Sequence, residues 1–487
     1  MPRRRNVITI HTDQQRADSL GCMGNPVCRT PNLDALAARG VLYRNHYTVN
    51  PVCMPSRAAC ITGRYPQANR VLDNGIPLPA DQVTCPQVFR DAGYRTASFG
   101  KLHLQTFCGY EGDDSLESLD RWRAGELDGW TGPYYGYEEV GLAVIHGDRA
   151  GGGHYGSWRR RAYPDAEGGP RAGDADSGLC CYKSSVPLEA HHSTWITDRA
   201  IEYVRAHRDE PFLLNVSFPD PHHPFTPPAP YCDMYDGVDL PAPHAVEGEH
   251  ETKPLLWREA MTGNPFPNDG GARHHPELSA EAYGRIVRHT YGMVTLIDDC
   301  VGRLLQALEA EGLAENTLIV FTSDHGDFLG DHHLIQKGQA PCRSLLQIPL
   351  IVFEPGAAPG VVEAVGSNVD VMPTLLDRCG IAIPETVQGV ALPRPGEAPG
   401  RDYAYEAGWS KADARWHHHT LYTDRWRLSL YPNLSDGELY DLIEDPFEHV
   451  NRFHDAACVT VRAELAEQLA FAMGRAEPRK PPIRANW

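Results

Sequence analysis

Short apolar runs alternate with amphipathic stretches along most of the chain. Residues 6–11 are an apolar run closing on polar Thr12, Asp13 and Gln14, the pattern of a buried strand. Residues 31–39 place Leu33, Leu36 and Ala37 on one helical face, and residues 41–47 return to a strand pattern. The spacing predicts a helix over 55–62, strands over 95–99 and 212–217, and an amphipathic helix over 194–206. Residues 279–311 read as one long or kinked helix, with Ile286, Met293, Ile297, Val301, Leu304 and Leu308 near helical spacing. Apolar strands follow at 318–322 and 350–353, then a helix over 371–379 opened by Asp370 and stopped by Gly380. Strands alternating with helices predict an α/β sheet covered on both faces. Sites in such sheets gather at the C-terminal ends of strands, where Asp13 and Asp324 fall.

Two stretches break the alternation. Residues 105–191 are rich in Gly, Tyr, Trp, Arg and acids and lack a period. They are too long for a silent loop in a compact domain. They are expected to form an insertion that covers the site or builds a contact between copies of the chain. Their Trp122, Trp130, Tyr134, Tyr135 and Trp158 suit a sugar or aryl pocket and ordinary packing equally. Residues 219–268 are Pro-rich and irregular. After Pro393 the pattern becomes short runs at 404–406, 420–422, 426–431 and 438–441, then a helix over 457–471. This divides the chain into a larger part, 1–393, and a smaller C-terminal subdomain, 394–487, on an antiparallel sheet.

The 487 residues are 41% hydrophobic and 22% charged, enough for a large core. The net charge of -19, from 45 basic and 64 acidic residues, argues against a nucleic-acid partner. It also means that an anionic substrate would need cations concentrated at its site. Residues 1–10 carry three arginines but only a short apolar run, not the apolar core of a secretion signal. No segment is apolar enough to span a bilayer. The 13 cysteines lack a framework spacing. A cytoplasmic protein with reduced thiols is expected. The His417-His418-His419 run is expected at a solvated loop or strand end rather than on a metal.

Chemistry enters at Cys53-Met54-Pro55-Ser56-Arg57, followed by Ile61-Thr62-Gly63-Arg64. Pro55 suits the first turn of a helix. Helix N-termini favour anions, and Arg57 adds a planar fork for oxyanions. Taken alone, this run is read as well by a buried cysteine before an ordinary helix. With the downstream Thr-Gly-Arg, it resembles the signature of the type I sulfatases of the alkaline phosphatase superfamily. The resemblance runs from Asn6 to about Asn451, with matching motifs in the same order, including Glu438-Leu439-Tyr440-Asp441 and Asp445-Pro446. It implies an alkaline-phosphatase-like α/β sandwich with a large, mostly parallel sheet and a small C-terminal antiparallel sheet. It also implies that a formylglycine-generating enzyme oxidises Cys53 to formylglycine.

A hard divalent cation needs several oxygen ligands converging from different strands. By resemblance, Asp13, Gln14, Asp324, His325 and a hydroxyl from the modified Cys53 hold one such ion. Gln14 and His325 stand where many sulfatases carry Asp and Asn. The set is similar to that of the phosphonate monoester hydrolase branch, as is Asp331-His332-His333-Leu334. Fewer carboxylates and an imidazole shift preference from Ca2+ toward Mn2+. Gly100-Lys101-Leu102-His103-Leu104 resembles the family's G-K-x-H-L element, with Leu102 where Trp is usual. Pro221-His222-His223-Pro224-Phe225 resembles its P-H-x-P-F element and maps the functional histidine to His222. Lys337 matches a downstream lysine. Arg57, Lys101 and Lys337 are then expected to neutralise ester oxygens, with His103 and His222 moving protons.

The implied reaction is attack on sulfur or phosphorus by one hydroxyl of a formylglycine gem-diol, then collapse to the aldehyde as the inorganic anion leaves. The sequence favours a hydrolase of small-molecule sulfate monoesters. A second reading keeps the site but prefers phosphonate monoesters or phosphodiesters, which carry the same single charge. A third is a catalytically silent binding protein whose Cys53 is never converted.

Overall fold

The computed structural model describes residues 4–108, 114–144, 146–149, 151–175, 179–260, 273–274, 279–410 and 413–478. Eight strands form the central sheet: β1 (Asn6–Thr12), β2 (Val41–Tyr43), β3 (Arg95–Gly100), β4 (Glu139–Leu142), β5 (Phe212–Ser217), β6 (Thr317–Ser323), β7 (Leu350–Phe353) and β8 (Gly360–Val362). Their order is β8-β2-β7-β6-β1-β5-β3-β4. β7 runs antiparallel to both neighbours, and the remaining pairs are parallel.

Side chains alternate between the two faces, and both faces are apolar. Ile8, Ile10, Leu214, Val216 and Phe321 pack under α1 (Pro31–Arg39), α3 (His192–Ala206) and α4 (Ala280–Ala310). Val7, Leu213, Leu318, Val320 and Leu350 pack on the other face against Met372, Leu375 and Leu376 of α5 (Val371–Arg378). Between them in sequence, α2 (Cys53–Thr62) lies at the C-terminal edge of the sheet. The long helix predicted over 279–311 is one element of 31 residues. Its Asp298 accepts from the backbone N–H groups of Asn32 (3.1 Å) and Leu33 (2.8 Å), so α4 caps α1 from outside.

The C-terminal part is an antiparallel sheet of β9 (Ala404–Gly408), β10 (His418–Tyr422), β11 (Trp426–Tyr431) and β12 (Asp436–Asp441). Leu421, Leu428 and Leu439 of that sheet meet Leu465, Leu469 and Ala472 of α6 (Val459–Ala476).

Three expectations change. The strand predicted over 41–47 breaks at Arg44 and Asn45. β2 stays in the central sheet, while His46–Tyr47 pairs with Gly366–Ser367 in a separate ribbon. The stretch 105–191 is not simply an insertion, because its β4 is the edge strand of the central sheet. Trp122 and Tyr134 are buried in a core of their own with Met54 and Leu102. The 417–419 run does open a strand, but His418 and His419 are buried, not solvated. His418 reaches Glu406 (3.1 Å) and His419 reaches the Tyr405 hydroxyl (2.8 Å). Residues 261–268 of the Pro-rich stretch lie outside the described residues. None of the thirteen cysteines is in a disulfide. Among the described residues, no helix is long and apolar enough to cross a membrane.

Candidate active site

Strand register brings the first two carboxylates together. β1 and β6 pair Thr12 with Ser323. Asp13 and Asp324 therefore leave adjacent strand ends side by side, and the Asp324 N–H donates to Thr12 O (3.3 Å). On the other flank, β3 pairs Gly100 with Ser217. Gly100 has φ +112°, and a Cβ there would stand 1.8 Å from Ser217 O. Only glycine fits that turn, which sends Lys101 into the site.

Helix α2 supplies the third component. Asn50 orients its entry, accepting from Val52 N–H (3.0 Å) and donating to Ala407 O (2.8 Å). Gly63, at φ +62°, ends the helix with an N–H bond to Ala59 O (2.8 Å). Cys53 and Arg57 are four residues apart and share a face. Ser56 Oγ donates to Asp324 O (2.6 Å) and accepts from Asn368 Nδ2 (2.8 Å), fastening the helix to the β6 end.

The ligand atoms of Asp13, Cys53, Asp324 and His325 all lie within 4.8 Å of one another, and all four residues are buried. Cys53 Sγ is 3.2 Å from His325 Nε2. His325 Nδ1 donates to Gly326 O (2.9 Å), which turns the other ring nitrogen, Nε2, toward the cluster. Gln14 is also buried, and its Oε1 has no hydrogen-bond partner. An unpaired buried amide oxygen on the residue after Asp13, taken with the two carboxylates and the imidazole, is the donor set that a divalent cation would complete. The residues therefore fit the ion.

Cations surround this centre. Arg57 donates to Asp324 (2.7 Å) and Asp13 (3.3 Å), and to Lys101 O and Ser217 Oγ. Lys101 Nζ pairs with Asp13 and sits 2.6 Å from His146 Nε2. Lys337 Nζ is 3.0 Å from both Cys53 Sγ and His325 Nε2. Burial pushes the Asp13 pKa up, but Lys101, then Arg57 and Lys337, outweigh it and hold the carboxyl well below its usual range. Burial and Asp13 push the Cys53 thiol up, and Lys101, Lys337 and His325 bring it below its ordinary value.

The histidines form a wall. The His222 ring stacks on His146 (3.8 Å) and on His223 (4.1 Å). His103 stacks on Phe107 (3.9 Å) and holds a left-handed backbone, φ +53°. Burial, reinforced by neighbouring cations and imidazoles, keeps His103, His146 and His222 well below the usual histidine pKa. The sequence reading missed His146, which stands in the unpatterned stretch after β4 and carries no local signal. It also missed Glu117, whose buried carboxylate accepts from the N–H groups of His103 (2.8 Å), Leu104 (2.8 Å) and Gln105 (3.1 Å). Asp327 and Asn368 likewise had no motif role.

This geometry, on this sheet, defines a class. The Sulfatase family matches residues 5–381, and the C-terminal region of N-sulphoglucosamine sulphohydrolase matches residues 330–474. The chain belongs to the Sulfatase family. It is 30% identical to an arylsulfatase of Clostridium perfringens over 92% of this chain and 89% of that one. It is 32% identical to the multifunctional alkaline phosphatase superfamily protein PehA of Trinickia caryophylli, over 80% of this chain and 76% of that protein. A phosphonate monoester hydrolase of Agrobacterium radiobacter superposes with a TM-score of 0.82 at 28% identity, covering 97% of this chain and 96% of that one.

Proposed function

We propose that this protein hydrolyses sulfate monoesters of small molecules, using a nucleophile made from Cys53. The observation that carries the reading is the convergence of Asp13, Cys53, Asp324 and His325 within one buried cluster, with Lys337 against the cysteine sulfur. Gln14 Oε1 and these side chains would hold one divalent ion, Mn2+ before Ca2+. When bound, the ion lowers the pKa of a hydroxyl on the oxidised side chain and neutralises ester oxygens.

The chain's own groups do the rest. Arg57 is committed to the two carboxylates, so it acts by fixing the ligands rather than by gripping the ester. Lys101 and Lys337 face the reacting position and balance the oxyanion charge. His103, kept neutral by burial, is poised to take a proton from the nucleophilic residue. Lys337 or His222 delivers one to the departing alcohol. The neutral His146 accepts from the Lys101 ammonium, which keeps that charge aimed inward.

A second reading, hydrolysis of phosphonate monoesters or phosphodiesters, is favoured by Gln14 and His325 together with the Agrobacterium enzyme's likeness. Specificity constants on an aryl sulfate and an aryl phosphonate monoester, measured on metal-replete protein bearing the aldehyde, separate the two. The sulfate should be preferred. A phosphonate preference would replace the first reading with the second.

A further inference from the structure

Gln14 has an unusual task for a ligand, because an amide presents an oxygen on one side and two N–H donors on the other. Turned the wrong way, it would aim protons at a cation. Its surroundings decide the direction. The Nε2 group is taken by Asp327 Oδ2, which accepts, and by His223 Nδ1 (3.1 Å), which accepts in the Nε2–H tautomer. The reverse orientation would set the amide oxygen against a carboxylate oxygen and, in that tautomer, an imidazole lone pair, and would lose both hydrogen bonds. Oε1 is thereby left buried and unpaired. The backbone of Gln14 is fixed separately, at φ +63° with its N–H on Asp324 Oδ1 (3.0 Å).

Asp327 is itself held by the backbone. It is 1% exposed, and its Oδ1 accepts from Leu329 N–H (2.8 Å) and Gln336 N–H (2.9 Å). One carboxylate oxygen thus closes the loop that ends at Lys337, while the other holds Gln14. We propose that Asp327 is a positioning residue for the cation centre: with His223 it locks the Gln14 amide so that only its oxygen faces the metal. The inference rests on the cation reading above and adds a group that sets metal affinity from outside the ligand shell.

The test is Mn2+ binding by the full-length chain, with thermal unfolding of each variant measured alongside. In Asp327→Asn the remaining oxygen keeps the two loop amides. The new Nδ2 then faces the Gln14 Nε2, donor against donor, and the Gln14 amide turns over. Affinity should fall about 10- to 100-fold. Adding Gln14→Glu restores an oxygen to both sides, so the double variant should return to within about threefold of wild type. Gln14→Glu alone measures what the added negative ligand contributes, and a carboxylate that merely tied the loop would cost the same factor in that background as it does in wild type. Asp327→Asn matching wild-type affinity, or an unrescued double variant, overturns the proposal. If Asp327→Asn does not fold, His223→Phe decides, with a loss of about 10-fold expected and unchanged affinity refuting. Asp324→Ala is the control on the cation reading itself. If it binds Mn2+ as wild type does, the reading fails, a result distinct from Asp327→Asn matching wild type.

Discussion

Removing Arg57 should expose how the site balances charge. Arg57 is 8% exposed, and its guanidinium bridges Asp324 and Asp13. Arg57→Ala leaves two buried carboxylates with one counterion fewer and deletes donors to Lys101 O and Ser217 Oγ. Breaking a buried ion pair by removing one partner costs about 3–5 kcal/mol. Lys101 and Lys337 remain nearby, which puts the expected loss near the lower end, about 3 kcal/mol. In a chain of this size the urea slope exceeds the ~3 kcal/mol/M of the steepest small proteins, so that is a midpoint shift below about 1 M. A bound divalent cation neutralises the same two carboxylates, so saturating Mn2+ should recover at least about half of the loss through linkage. The assay is urea unfolding followed by tryptophan fluorescence, with and without Mn2+, for wild type and variant. A variant as stable as wild type without metal would refute the charge argument. So would a deficit that Mn2+ leaves unchanged.

Other predictions concern separate links. His146→Ala should lower kcat/KM about 100-fold by releasing the Lys101 ammonium, while Mn2+ affinity stays near wild type in a binding titration. Chelation should abolish turnover, and readdition should restore it better with Mn2+ than with Ca2+, as steady-state rates will report. Burial raises the Asp298 pKa to about 6 despite its bonds to the α1 N-terminus. The folded chain therefore keeps a proton that the unfolded chain releases, and stability should fall by up to about 3 kcal/mol as pH rises from about 4 to 6. Asp298→Asn should flatten that slope in urea midpoints measured across the window.

The parts of the fold with a strong period were legible. Residues 6–11, 279–311 and 318–322 announce themselves because burial on two faces, or on one helical stripe, forces a repeating composition. The C-terminal ends of β1 and β6 were legible as a site because short polar runs interrupt apolar strands there. β4 was not, since four residues containing a glycine give no alternation to read. His146 and Glu117 follow from that loss, because their proximity to Lys101 and His103 depends on where the edge strand lies. The partners of Arg57 were hidden for another reason. A helix N-terminus and an arginine predict anion binding, but register alone decides that the nearest anions are the protein's own Asp13 and Asp324.

The central claim is that a residue made from Cys53 performs the reaction in this cation centre. It is tested by measuring turnover of an aryl ester in preparations whose aldehyde content at position 53, read by mass spectrometry of that peptide, is varied through coexpression of a formylglycine-generating enzyme. The account predicts a rate proportional to aldehyde content, extrapolating to zero for the pure thiol. Full turnover by protein carrying an intact Cys53 thiol would contradict it.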